Sequence, residues 1–213
     1  MSASMIYNLG PTTILLSDGC GYDNGKVTSL NTRKVWTLSE SVGLIWMGRR
    51  FGPIDKIIDS QKGRTAENAL KGIGEILKHT INGNEEIEEF LDNDNPYNIF
   101  SLEYNNGLLE IYRLFWCKER YNPIHYQTFE PGMNAFMAVE QGKTEEGMAL
   151  FKKFLKDKTD RTAFSVKSIT KAIHDSFSDT IKKLKDQGVQ VGGQIFIDTL
   201  VVPKEQKEIK NGV

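Results

Sequence analysis

The sequence predicts an α+β fold in which antiparallel sheets carry helix pairs on their outer faces. Three observations predict it. About the first fifty residues read as strands joined by tight turns. The apolar period then changes to that of helices, which come as two sequential pairs, one after Pro53 and one after Thr144. Between the pairs lie two strand-like runs, 97–104 and 108–115, separated by Asn105-Asn106-Gly107. Asn-Gly is the residue pair that tolerates φ > 0 in a tight hairpin turn. A doubly wound parallel sheet needs strict alternation of strand and helix, which this order lacks.

The elements follow in order. Residues 4–9 alternate weakly as a strand and Gly10-Pro11 marks a turn. Residues 12–16 form a β-branched-rich run closed by Ser17-Asp18-Gly19. Residues 19–32 are polar and Gly-rich, a loop with a short strand near 26–28, and residues 33–38 and 42–47 are further strands on either side of Ser39-Glu40-Ser41. Pro53 suits a first helical turn, and Ile54, Ile57 and Ile58 give a short helix one apolar face. Thr65 caps a second, with Ala66, Ala69, Leu70, Ile73, Ile76 and Leu77 inward. Gly72 and Gly74 weaken that helix by roughly 1 kcal/mol each relative to Ala. Residues 83–95 are acidic and polar, a surface excursion with a short helical turn. Strands at 126–129 and 135–139 follow. A helix after Thr144 turns Met148, Phe151, Phe154 and Leu155 inward, and one over 166–184 does the same with Val166, Ile169, Ile173, Phe177 and Ile181. The last strand is 194–202. One domain therefore spans 1–203, and 204–213 is a charged, loose tail.

Composition narrows the function classes. A chain of 213 residues holds one large domain or two small ones. With 39% hydrophobic and 26% charged residues it is not a largely disordered chain. Lys+Arg 27 against Asp+Glu 28 leaves a net charge of −1, so no basic field exists to hold nucleic acid. The two cysteines, Cys20 and Cys117, make neither a disulfide framework nor a zinc site, and a reducing, cytoplasmic compartment is the simpler reading. The N-terminus lacks a secretory pattern and no apolar run spans a membrane. His79, His125 and His174 show no metal-ligand spacing, and no cofactor is implied. His174 and Asp175 are expected to face different sides of their helix.

Four residues at the start of the chain carry useful chemistry. Met is normally removed before a small residue, which leaves Ser2 with both a hydroxyl and a free α-amine. Asp18 ends the second strand, Lys34 begins the next long one, and Gly48 closes the strand at 42–47. If these strands pair as antiparallel neighbours, the four gather at one end of a sheet. Each also has a plain reading: a frayed terminus for Ser2, a turn residue for Asp18, a solvated face for Lys34 and a strand-end turn for Gly48. Cys20 reads as a small buried hydrophobe. Trp36, Trp46 and Trp116 read as core or interface aromatics. Arg49 and Arg50 are surface, substrate-facing or subunit-contact charges.

The run from Thr12 to Gly19, then Thr32-Arg33-Lys34-Val35-Trp36, then 42–48, resembles the N-terminal-nucleophile (Ntn) hydrolases of the proteasome-like family. It looks closest to the bacterial peptidase subunit of a two-component ATP-dependent protease. Val191-Gly192-Gly193 before the last strand is similar to that family's Gly-Gly, and the resemblance covers about 2–202. It implies a four-layer αββα sandwich of two antiparallel sheets. It also implies amide-bond hydrolysis by the first residue, here Ser2 where the family has Thr, in a homo-oligomer of one or more rings. An ATPase partner and a peptide or amide substrate come with it. In such a site the α-amine, with an unperturbed pKa of about 7.7–8.0, takes the hydroxyl proton. Lys34 lowers that pKa by like-charge repulsion, Asp18 holds Lys34, and the Gly48 N–H receives the oxyanion. Gln141, Gly188 and Val191 stand where the family has polar residues around the amine. They favour the alternative of a non-catalytic proteasome-like protein with an assembly or binding role. A third reading is an Ntn amidase acting on a small molecule.

Overall fold

A computed structural model describes residues 3–23, 26–48, 53–81, 98–115, 123–130, 132–139, 142–159 and 165–202. The predicted excursion at 83–95, Ser2, Arg49, Arg50, Trp116, Cys117, Gln141 and the tail at 204–213 lie outside them. The fold is α+β. In chain order the strands are β1 (Ala3–Leu9), β2 (Thr12–Ser17), β3 (Gly21–Asp23), β4 (Lys26–Ser29), β5 (Val35–Thr37) and β6 (Val42–Met47). Helices α1 (Ile54–Asp59) and α2 (Ala66–Ile81) come next, then β7 (Asn98–Asn105), β8 (Leu108–Phe115), β9 (Ile124–Phe129) and β10 (Met133–Val139). Helices α3 (Thr144–Thr159) and α4 (Val166–Asp186) precede β11 (Phe196–Val201). The strands form a four-stranded sheet ordered β10-β1-β2-β11, a five-stranded sheet ordered β5-β6-β7-β8-β9, and the β3-β4 pair. The chain divides into two compact units: residues 1–7, 14–34 and 135–198, and residues 8–13, 35–134 and 199–213.

In the second unit every neighbouring pair of the five-stranded sheet is antiparallel. Its tightest turn is the predicted one. Asn105 pairs with Leu108, and Asn106 and Gly107 take φ of 50° and 78°, the two positive values of a type I′ turn. Val42, Leu44 and Trp46 alternate along β6 and pack with Ile99, Leu114 and the inward faces of both helices, Ile54, Ile57 and Ile58 from α1 and Leu70, Ile73 and Leu77 from α2. Thr65 does cap α2, through a 3.4 Å bond from the Asn68 N–H. A shorter bond comes from across the sheet: the Ala66 N–H donates to Glu103 Oε2 at 2.7 Å, so a carboxylate on β7 sits on the positive end of the helix. At Gly72, mid-helix, a Cβ would stand 2.3 Å from Gln61 Oε1, so a larger residue would have to move the Gln61 side chain.

In the first unit α3 and α4 pack on each other. A Cβ at Gly147 would stand 2.9 Å from Met137 Sδ and 3.0 Å from Val139 Cγ2, so glycine lets α3 approach β10 closely. Phe151 is buried and meets the Tyr7 ring edge-on at 5.8 Å. Met148, Phe154 and Leu155, expected inward, are only half-buried. Ser165 caps α4 in a reciprocal capping box with Ser168. Ile173, Phe177 and Ile181 are buried as predicted, but Val166 is 65% exposed. In the first turn of α4 Val166 and Lys167 are exposed and Ile169, also expected inward, is half-buried, so periodicity alone misplaces this turn.

Candidate functional site

The site is a buried carboxylate at the end of β2. Asp18 follows the last β2 residue and is tied twice to Ala3, the first residue of β1. Its N–H donates to the Ala3 carbonyl at 3.0 Å, and the Ala3 N–H donates to Asp18 Oδ1 at 3.0 Å. The same oxygen accepts from Lys34 Nζ at 2.6 Å. Oδ2 accepts the Gly192 N–H at 3.0 Å and the Cys20 N–H at 3.4 Å. Asp18 is 0% exposed and Lys34 4%. The plain reading of Lys34 as a solvated face therefore does not hold. A carboxylate out of water needs its charge matched and its lone pairs filled. Here one ammonium does the first and three backbone amides help with the second.

Three stretches of backbone interlock to make this possible. The Gly19 N–H donates to the Gly192 carbonyl at 2.9 Å, Thr32 N–H to Gly19 O at 2.9 Å, and Gln194 N–H to Leu30 O at 2.8 Å. A Cβ on Gly19 would lie 2.6 Å from Gln194 O, and one on Gly193 only 2.3 Å from Leu30 O. Gly193 also has φ of 78°, which an L side chain adopts at a cost. Two glycines thus let residues 18–20, 30–32 and 192–194 close on one another. Cys20 is buried with a free thiol, as expected. The hydroxyls of Ser4 and Ser17, next in the chain to Ala3 and Asp18, are buried without a hydrogen-bond partner among the described residues.

Of the four predicted site residues, the structure brings Asp18 and Lys34 together. Ser2 lies outside the described residues. Gly48 ends β6 in the other unit with φ of 104°. Arg33, the neighbour of Lys34, points elsewhere and forms a two-pronged bond with Asp198 at 2.6 Å to each oxygen. Sequence reasoning missed the amides of Ala3, Cys20 and Gly192, since a backbone donor has no residue-type signature. The Gly-Gly pair at 192–193 was the available signal for the last of them.

Among the described residues the histidines make these contacts. His79 is exposed in the last turn of α2. His125 meets Thr128 Oγ1 at 2.9 Å and the Tyr112 ring edge-on. His174 and Asp175 do not face apart as expected: Nδ1 lies 3.1 Å from Asp175 Oδ1, because side-chain torsions let adjacent helical residues meet. Asp175 is shared with Lys171, whose hydrogen bond is the main reason its carboxyl is held below the ordinary range. Among the described residues no group of three or more His, Cys, Asp or Glu could hold a metal ion, and no helix is long and apolar enough to cross a membrane.

No protein-family model matches the chain, and no curated protein matches it. Among solved structures it is similar to a crystal structure of eukaryotic HslV from Trypanosoma brucei, at 15% identity over 94% of this chain and 99% of that one, with a TM-score of 0.47.

Proposed function

We propose that the chain is a proteasome-like Ntn hydrolase, a peptidase or amidohydrolase subunit that uses Ser2 as its nucleophile once Met1 is removed. One observation carries the reading. Asp18 Oδ1 binds both the Lys34 ammonium and the Ala3 N–H, and that nitrogen is covalently joined to Ser2. The catalytic roles are those the resemblance implies, and this linkage supports them. The Ser2 α-amine serves as the base for its own hydroxyl. The ammonium of Lys34 favours the neutral, proton-accepting amine by like-charge repulsion. Asp18 orients Lys34 and anchors the peptide that follows the nucleophile. Gly48 keeps the role of oxyanion donor on its sequence position. The reading carries with it a single domain over 1–203 in a four-layer αββα arrangement, a homo-oligomeric ring, a cytoplasmic setting, a peptide or amide substrate and an ATPase partner.

A second reading, a non-catalytic protein of the same architecture with an assembly or binding role, is favoured by one observation. Where the resemblance implies polar residues before the Gly-Gly, the chain has Gly188 and the buried Val191, and the side chain lying against Gly192 is a lysine, a donor. Intact mass of the native protein decides first: hydrolysis requires loss of Met1. Turnover of fluorogenic peptides then compares the parent with Ser2→Ala, a change too small to disturb the fold. Hydrolysis abolished in Ser2→Ala supports the enzyme. A retained Met1, or equal turnover in both proteins, overturns it.

A further inference from the structure

We propose that Lys185 is a positioning residue for the Asp18 carboxylate, its aliphatic stem covering Gly192 and keeping water from the amide that holds Asp18 Oδ2. The part of this that concerns catalysis rests on the hydrolase reading; the part that concerns the hydrogen bond does not. Gly192 is buried with φ of 141°. Both its backbone polar groups are committed to the site, the N–H to Asp18 at 3.0 Å and the carbonyl to Gly19. On the side where a Cβ would stand, the three nearest heavy atoms all belong to Lys185: Cδ at 3.4 Å, Nζ at 3.9 Å and Cε at 4.0 Å.

The end of α4 produces this contact. Gly188 N–H donates to Lys185 O at 2.9 Å and Val189 N–H to Leu184 O at 3.0 Å, and Gly188 takes φ of 85°. Paired bonds closing on a left-handed glycine are the usual stop of a helix. They turn the chain back, and Gly192 comes to lie along the Lys185 side chain. Lys185 is itself exposed, and its ammonium has no hydrogen bond or ion pair among the described residues. Cδ makes the nearest contact and the ammonium lies beside it at 3.9 Å, so the stem covers Gly192 while the side chain stays partly in solvent, an arrangement long cationic side chains favour. A bare glycine next to solvent would leave its N–H open to competition from water. Losing that amide would loosen one oxygen of the carboxylate that orients Lys34.

A basic residue in the last turn of a helix also favours the helix dipole, so the test separates stem from charge. Lys185→Ala removes both; Lys185→Met keeps an unbranched stem and removes the charge. The readout is hydrogen exchange at the Gly192 amide in the full-length protein. In Lys185→Ala, exchange is expected to quicken roughly three- to tenfold, the range that a net intramolecular hydrogen bond supports. In Lys185→Met it is expected to stay within about twofold of the parent, well inside that range. Unchanged exchange in Lys185→Ala, or a Lys185→Met protein as fast as Lys185→Ala, overturns the proposal. If the parent hydrolyses peptides, Lys185→Ala lowers kcat with KM held and Lys185→Met restores it. A parent with no turnover counts against the hydrolase reading and leaves the exchange result to decide on Lys185.

Discussion

Lys34→Met tests the buried pair at the centre of the site. The substitution removes the ammonium and keeps an unbranched stem of similar reach. Asp18 is then left 0% exposed with its charge facing, among the described residues, the amides of Ala3, Cys20 and Gly192. Removing one partner of a buried pair costs about 3–5 kcal/mol, because an uncompensated charge stays behind. The three amides remain, which places Lys34→Met near the lower end, about 3 kcal/mol. Asp18→Asn is worse. It strands the Lys34 ammonium, and an Asn amide that keeps its oxygen toward Lys34 and Ala3 turns its NH2 toward the N–H groups of Gly192 and Cys20. The expected loss is about 4–5 kcal/mol. The double variant holds no buried charge and loses less than the sum, with a coupling of about 2–3 kcal/mol. Urea unfolding of the four proteins measures each loss from the midpoint and slope. Additivity within about 0.5 kcal/mol, or a loss under about 1 kcal/mol in either single variant, would refute the claim that the two charges stand or fall together.

Two further outcomes concern other parts of the molecule. Gly193→Ala is expected to destabilise by about 1–3 kcal/mol from its left-handed φ alone, with more from the approach of Leu30 O, read as a lowered Tm; an unchanged Tm would refute both the backbone strain and the close approach. Lys171→Met is expected to raise the Asp175 pKa toward the ordinary aspartate value, seen in an NMR titration of its carboxyl carbon. Because the folded value lies below the unfolded one, Asp175 adds stability above the unfolded pKa, and that contribution fades as pH falls through the folded pKa. It is a small effect for so exposed a pair, and an unmoved titration in Lys171→Met would assign the shift to His174 instead.

The sequence by itself determined the local elements, since turn chemistry and apolar period act over a few residues. Asn106-Gly107 can hardly be anything but a two-residue hairpin turn. Residues 66–77 show one apolar face at helical spacing, and residues 42–47 form a strand with apolar side chains on both faces. It also placed Asp18 and Lys34 at strand ends, but the antiparallel pairing expected to bring them together does not form: Asp18 follows β2 of the four-stranded sheet, whereas Lys34 precedes β5 of the five-stranded one. Tertiary structure alone decided that the pair is buried. It decided that Glu103 on β7 adds to the Thr65 cap of α2, that Val166 is exposed, and that the amides of Ala3 and Gly192 close around one carboxylate. The physical reason is the same in each case. A side chain's burial depends on what the rest of the chain lays over it, and a backbone N–H is identical at nearly every residue. Which acceptor it finds is therefore written in the packing of distant segments and not in the letters beside it.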